Sequence, residues 1–584
     1  MKNNGAKSLL VSRWRFALAV LLLAALMVLL LWHVALLQVI PGEDKGFEFL
    51  QGQGDARTVR TEVLPAHRGV ITDRNGEPLA VSTPVVSLWA NPSELSADSP
   101  EIPALAQALG KSSAGLKEKL GRYQDKEFIY LKRHMPPQDA ERILTNKWRG
   151  VYGRTEYQRF YPAGEVAAHV VGFTDIDEQG QEGFELAYND WLLGVPGSKR
   201  VLKDLKGRII KDDGELRAPV AGKDVHLSID LRMQYLAYRE LKQAVAQHQA
   251  RSGTLVLLDA KSGEVLAMVN QPSYNPNDRS GIQLAALRNR AITDQFEPGS
   301  TMKPLTVMAA LETGRYHPHT MIDTNPGYIR VGQKTLLDPI NYGRIDLTKV
   351  ITKSSQVGIS KVALDMTPDT IRDMFFRLGM GQGTGVGFPG ESVGVLPNRT
   401  RWSAIEHANF AFGYGMSVTA LQLAQAYSVL ANYGVKRPIS MLRVDQSPQA
   451  SQERVVNQRV TRQLVSMLKT VMESEGTARK AQIDAYPAAG KTGTVHKVGK
   501  NGYDDDRYRS VFAGLAPALN PRVVAVVVIE EPNSGKYFGG EVAAPVFAKV
   551  AEGALRLLHV PPEQRNDVAG VSKSLSSVKR EPLS

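Results

Sequence analysis

The sequence predicts an α+β domain followed by an α/β domain with a central sheet and a helical subdomain, both behind one N-terminal transmembrane helix. Three observations lead there. Phe16 to Trp32 is an unbroken apolar run of 17 residues. Residues 59–217 mix short strand-like and helical patterns. Farther on, two pairs of strongly apolar strand-like runs, at 254–269 and 510–529, bracket a long stretch of helical periodicity.

The apolar run, extended past His33 by Val34 to Leu37, is long enough to cross a hydrocarbon core of about 30 Å as a helix. Lys2, Lys7, Arg13 and Arg15 precede it and no acid does. That charge bias predicts a cytoplasmic tail at 1–15, a transmembrane helix at 16–37 and the bulk of the chain on the far side. The run ends in Trp32-His33 and bulky aliphatics rather than a small-x-small site, so an uncleaved anchor is expected in place of a signal peptide. Residues 38–55, with Pro41-Gly42 and scattered charges, read as a linker.

Residues 56–222 form the expected α+β domain. Val70–Thr72 and Val85–Trp89 read as strands around the turn Asp73-Arg74-Asn75-Gly76, where Asn-Gly is a hairpin signal. Pro103–Leu120 and Pro137–Leu144 read as helices, the prolines sitting in first turns. Both periodicities break at Ala218 to Gly222. The expected α/β domain covers 223–562. It opens with a strand at Asp224–Ile229 and a helix at Leu231–Gln249, with Asp230 as N-cap. A hairpin at 254–269 follows. Helices are expected at 302–311, 356–365, 369–378, 421–432 and 461–474, then strands at 510–515 and 523–529 and a last helix at 544–558. Strands at both ends with helices between predict one sheet closed by both ends of the domain. Residues 563–584, poor in apolar side chains, predict a disordered tail.

Composition narrows the chemistry. The 584 residues contain no cysteine, which excludes disulfides, thiolate metal sites and a Cys nucleophile. Lys and Arg number 71 against 59 Asp and Glu, a net +12 with no long basic block, so nucleic acid is not an expected partner.

Ser300-Thr301-Met302-Lys303 follows the turn Pro298-Gly299 and opens a helical pattern. A serine there lies at the positive end of the helix dipole, with Lys303 three residues on and on the same face. A buried lysine near its neutral form can take the serine's proton. Lys491-Thr492-Gly493-Thr494 precedes the final strands. On an edge strand, Gly493 lets a substrate backbone approach, while Lys491, Thr492 and Thr494 offer positive charge and hydroxyl donors to a carboxylate. Ser354-Ser355-Gln356 lies between, 54 residues after Ser300 and 137 before Lys491. Each element alone is common; their order and wide spacing are specific.

With these residues the chain resembles the class B penicillin-binding proteins, and among them the division-type (septal) transpeptidases. The resemblance runs from the anchor to about Leu558. It includes Arg68-Gly69-Val70-Ile71-Thr72-Asp73-Arg74-Asn75-Gly76, Tyr161-Pro162 to Phe173, Phe412-Gly413-Tyr414-Gly415 and Gly476-Thr477-Ala478. It implies a pedestal of the dimerisation type followed by a β-lactamase-like penicillin-binding domain. It implies a peptidoglycan D,D-transpeptidase in which Ser300 attacks a D-Ala-D-Ala carbonyl and Lys303 is its base. Ser354, fed by Lys491, would relay a proton to the leaving amine. The backbone N–H groups of Ser300 and Thr494 would form an oxyanion hole, and Thr492 and Thr494 would hold the substrate carboxylate. Implied partners are peptidoglycan stem peptides, β-lactams, the inner membrane, a membrane glycan polymerase and other division proteins. No cofactor or metal is implied. A D,D-carboxypeptidase, or a weakly active or conditional paralogue that mainly scaffolds the division complex, is the alternative reading.

One residue departs from the family pattern. The middle triplet usually ends in Asn, and here it ends in Gln356. Gln keeps the amide but adds a methylene, which displaces it by about a bond length. Misplacement of that order can cost about 10²-fold in rate, so slower or differently selective transfer is expected. Gly385-Val386-Gly387-Phe388-Pro389-Gly390 lacks a preceding strand and reads as a loop rather than a dinucleotide site. His317 and His319 read as a surface turn.

Overall fold

The structure, a computed structural model, describes residues 13–39, 48–49, 59–203, 209–444, 452–499 and 502–563. The expected cytoplasmic tail up to residue 12, nearly all of the linker and the tail from 564 lie outside the described residues. Helix α1, Arg13–Gln38, has 26 residues and no buried side chain. At 1.5 Å per residue it is about 39 Å long. Among the described residues it is the one helix long and apolar enough to cross a membrane.

The rest of the chain divides into two compact units. One holds residues up to His67, Pro84–Tyr157 and Gly194–Ala221; the other holds Arg68–Thr83, Gln158–Leu193 and residues from Gly222 on. Two stretches inside 56–222 therefore belong to the second unit. A buried ion cluster shows why. Arg68 donates to Glu185 at 2.7 Å, and Arg159 donates to the same carboxylate at 2.6 Å. Losing one partner of such a buried group leaves the others unpaired, at a cost of about 3–5 kcal/mol.

In the first unit, β1 (Val59–Leu64) belongs to a small antiparallel sheet completed farther along the chain. The strand β2 (Pro78–Ala90) contributes its second half. Helices α2 (Ile102–Leu109) and α3 (Ser113–Arg122) replace the single helix expected at 103–120. Gly110 takes the left-handed conformation that ends the first, and Ser112 caps the second by accepting from the Gly115 N–H. Strand β3 (Ile129–Met135), helix α4 (Pro137–Leu144) and strand β4 (Val151–Phe160) follow. The helices bury Leu105, Leu109, Leu116, Leu120 and Ile143 on Leu88, Leu131 and Val151. Strands β5 (Gly197–Lys203) and β6 (Ile209–Arg217) close the small sheet with β1.

In the second unit, Ile71–Thr72 pairs with the start of β2, not with Val85–Trp89: the return strand begins at Pro78 and runs on unbroken. Asp73 organises the turn. Its carboxylate accepts from the Asn75 and Glu77 N–H groups and from the Leu231 N–H at 3.0 Å. It thus shares with Asp230 the capping of α5 (Leu231–Gln247). Of the expected strand 224–229 only Val225–His226 is regular, paired parallel to Ile71–Thr72.

The sheet is five-stranded and antiparallel. Strands β7 (Ser252–Asp259) and β8 (Val265–Gln271) form the first hairpin. The helical region follows: α6 (Lys303–Glu312), α7 (Gln356–Leu364), α8 (Pro368–Arg377), α9 (Ala420–Ala431) and α10 (Gln458–Lys469). Then come β9 (Ala489–Gly499), β10 (Gly502–Ala516), β11 (Val523–Glu530) and α11 (Ala544–Leu557). The strand order is β8-β7-β11-β10-β9, with Val256 opposite Val526. The two ends of the domain meet in the middle of the sheet. Helix α9 is buried at every residue, Gln422, Gln425 and Ser428 included. Helix α11 is amphipathic and packs Phe547 against Phe512 of β10.

Candidate active site

The site is built where α6, α7 and the edge strand β9 meet. Pro298 leads into a 3-10 turn, Gly299–Met302, closed by the Lys303 N–H on the Ser300 carbonyl, and α6 begins at Lys303. In 3-10 geometry residues i and i+3 eclipse, so Lys303 lies on the same face as Ser300. The turn is pinned from behind: Thr301 Oγ1 donates to the Pro298 carbonyl at 2.7 Å, and Tyr427 of α9 donates to the Thr301 carbonyl at 2.8 Å. A Cβ on Gly413 would lie 2.5 Å from the Gly299 carbonyl, so only glycine lets the 412–415 stretch lie against this turn. Ser300 itself is half-buried.

Lys303 is buried, and its Nζ donates to the Ser354 carbonyl at 2.5 Å and to Ser354 Oγ at 3.2 Å. Burial pulls its pKa from the usual lysine range to about 7, while the Asp338 carboxylate pulls the other way. Ser354 sits in the left-handed region at φ +57°, a strained place for a residue with a Cβ. The next three residues are clamped by one carboxylate. Asp338 accepts from Ser355 Oγ and the Gln356 N–H at 2.5 Å each, and from the Val357 N–H at 3.1 Å. Ser355 Oγ also takes the Gly358 N–H at 2.8 Å. The first turn of α7 is therefore capped twice. Gln356 opens α7 and is half-buried.

Among the described residues strand β9 forms the sheet edge, paired on one side only with β10, Thr494 lying opposite Ser510. Lys491 is fully buried, its Nζ near the Thr492 carbonyl (3.2 Å) and Thr492 Oγ1 (3.4 Å). Burial, and then the positive charge of Lys303, push its pKa well below the usual value. The Thr492 hydroxyl shares a 3.0 Å bond with Thr477, and Thr494 Oγ1 accepts the Gly539 N–H at 3.0 Å. A Cβ on Gly493 would lie 3.1 Å from the Pro298 carbonyl and from Thr301 Cγ2. The glycine lets the strand lie against the serine turn, a reason different from the one read in the sequence.

Ser300, Lys303, Ser354, Gln356, Lys491, Thr492, Gly493 and Thr494 are thus drawn from three distant stretches to one place. Neither Asp338 nor the Thr477 hydroxyl is marked as a site group by the sequence. Asp338 lies in Leu337-Asp338-Pro339 with no motif around it, so no local pattern marks it. Thr477 belongs to a stretch that carries the family resemblance, but its reach to Thr492 needs the fold. The glycine-rich stretch 385–390 is a loop. His319 lies 3.6 Å from Asp346, and among the described residues no group of three or more His, Cys, Asp or Glu is set to hold a metal ion.

The chain also matches known proteins. Residues 253–552 match the penicillin binding protein transpeptidase domain and residues 63–227 the penicillin-binding protein dimerisation domain. It is 43% identical over 525 residues to PbpC of Pseudomonas aeruginosa, named a probable peptidoglycan D,D-transpeptidase, covering 90% of this chain and 93% of that one. It is 44% identical over 556 residues to the peptidoglycan D,D-transpeptidase FtsI of Escherichia coli, covering 94% and 93%. Its structure resembles penicillin binding protein 3 of Mycobacterium tuberculosis in complex with aztreonam, with a TM-score of 0.67 at 29% identity, covering 86% and 98%.

Proposed function

The chain belongs to the penicillin-binding proteins that carry a dimerisation and a transpeptidase domain, and from that membership we propose that it is a serine-type peptidoglycan D,D-transpeptidase of septal cell-wall synthesis. Ser300 Oγ attacks the carbonyl between the two terminal D-alanines and gives up its proton to Lys303. A carbon–oxygen bond forms and the peptide carbon–nitrogen bond breaks. The departing D-alanine takes its proton through Ser354, to which Lys303 is already hydrogen-bonded. Lys491, on the edge strand, feeds the relay through Ser354. Thr492 and Thr494 hold the terminal carboxylate, and the Ser300 and Thr494 N–H groups take the oxyanion, one such donor being worth about 10²–10³ in rate. The amine of a second stem peptide then takes the acyl group. A β-lactam acylates the same serine and stays.

The single observation carrying this reading is that Lys303 is buried one turn from Ser300 with its Nζ bonded to Ser354, where burial draws its pKa down to about 7. A proton acceptor held near working pH is what general-base catalysis by a lysine requires. Helix α1 supports a single-pass protein with its N-terminus in the cytoplasm and its catalytic domain across the inner membrane. A membrane glycan polymerase and other division proteins are the partners this reading places beside it.

The test is labelling of the full chain in detergent by a fluorescent penicillin, read as an intact-mass increase. The expected result is one adduct on the unaltered chain and none on Ser300→Ala. Equal labelling of both would overturn the assignment.

A further inference from the structure

Three residues before Ser300, Glu297 carries a half-buried carboxylate that the proposed proton path does not use. Its bonds reach into two other parts of the chain. Oε1 accepts the Gly415 N–H at 2.8 Å. The Tyr503 hydroxyl, from β10 opposite Val498, lies 3.0 Å from Oε2 and 3.2 Å from Oε1. Tyr503 also meets Tyr414 edge to face, centroids 5.6 Å apart, and Tyr414 meets Phe412 the same way at 5.6 Å. Burial and the nearby Glu297 carboxylate raise the pKa of Tyr414 to about 12 and that of Tyr503 higher, so both stay neutral and Tyr503 remains a donor. Phe296, just before, is fixed by paired backbone bonds to Val418 at 2.9 Å. Glu297 thus stands between a residue held by a backbone bridge and the rigid Pro298, with its oxygens spent on neighbours.

We propose that Glu297 is a positioning residue of the transfer reaction: its carboxylate ties the Ser300 turn, the Gly415 loop and Tyr503 into one wall and so sets the angle at which Ser300 meets the acyl donor. This rests on the serine assignment made above. Glu297 neither gives nor takes a proton. In acylation the Oγ–carbon bond forms, the carbon–nitrogen bond breaks, and the hydroxyl proton travels by Lys303 and Ser354 to the leaving amine. What Glu297 supplies is geometry, and displacement of a reacting group by about 1 Å can cost about 10²-fold. The role needs hydrogen bonds rather than charge, so glutamine should serve in its place: its oxygen accepts the Gly415 N–H, and its amide N–H can donate to the Tyr503 hydroxyl oxygen.

The experiment measures acylation of the full chain in detergent by a fluorescent penicillin over a range of concentrations, with a melting curve for each variant. Glu297→Ala should lower the limiting acylation rate about 10²-fold while moving the half-saturating concentration less than about threefold. Glu297→Gln should recover to within about tenfold of the unaltered rate, and Tyr503→Phe, which keeps the ring but loses the hydroxyl, should fall several-fold. A wild-type rate in Glu297→Ala, or Glu297→Gln no faster than Glu297→Ala, would overturn the proposal. Should Glu297→Ala fail to melt as a folded protein, Tyr503→Phe decides: a several-fold slower rate supports the tie and an unchanged one refutes it. Loss of the serine assignment would look different, with no adduct at Ser300 in the unaltered chain.

Discussion

On one flank of the site, local geometry brings Ser300 and Lys303 to one face, because a 3-10 turn eclipses residues three apart, and bonds from Tyr427 and through Glu297 hold that turn in place. On the other flank, Ser354 to Gln356 occupy a backbone that their own sequence does not favour. Ser354 is left-handed, and the residues after it are held by a carboxylate 17 to 19 positions upstream. A short motif on a helix start forms by itself and needs ties only to fix its angle; a strained one needs a clamp from elsewhere to form at all. Loss of Lys303 should therefore act through chemistry, and loss of the Asp338 clamp through placement.

The largest effect is expected on the first flank. Lys303→Ala should slow acylation about 10³-fold, measured by penicillin labelling, with little change in melting. In the unaltered protein acylation should rise with pH and reach half its maximum near 7, where Lys303 loses its proton, rather than in the usual lysine range. A flat profile from about pH 5 to 9 would remove Lys303 from the role of base.

On the second flank, Asp338→Asn should slow acylation about 10²-fold and lower stability by about 2 kcal/mol, since buried donors lose a charged acceptor. It carries a further signature. The Asp338 carboxylate raises the Lys303 pKa against burial, so removing its charge lets that pKa fall below about 7. The rise of rate with pH should then begin at lower pH even as the plateau drops. A drop without that displacement would mean that Asp338 acts on Ser355 and Gln356 only.

Ser354→Gly separates strain from function. Glycine accepts φ +57° without penalty, so the variant should gain about 1 kcal/mol in thermal unfolding. It should lose roughly tenfold or more in acylation, because the hydroxyl beside Lys303 is gone. The smallest effect is expected of Gln356→Asn, a few-fold faster acylation if the added methylene misplaces the amide. An unchanged rate would show that Gln356 already presents it well.

The same contrast explains how much the sequence discloses. The apolar patterns at 254–269 and 510–529 are strong enough to predict the central sheet and its closure by both ends, because every one of those strands is buried in its apolar stretch. Asp230 is readable as a cap because capping is local. The helix expected at 103–120 comes apart at Gly110 and Ser112, two signals outweighed by the apolar periodicity across them. The hairpin partner expected for Ile71–Thr72 is misplaced because Pro78 at the head of a strand reads as a break. Asp338 and the Thr477–Thr492 bond are beyond reach, since both join positions that only folding brings together.

The strand order has a consequence for synthesis. Because β11 lies between β7 and β10, a ribosome that stops before Val523 releases a chain whose two hairpins have nothing to join them. Lys303 would be present in such a fragment, and Lys491 too, yet the platform that sets them side by side would not. Reactivity toward penicillin should thus arise late, only after the last strand has left the exit tunnel, which keeps half-made molecules from being acylated along the way.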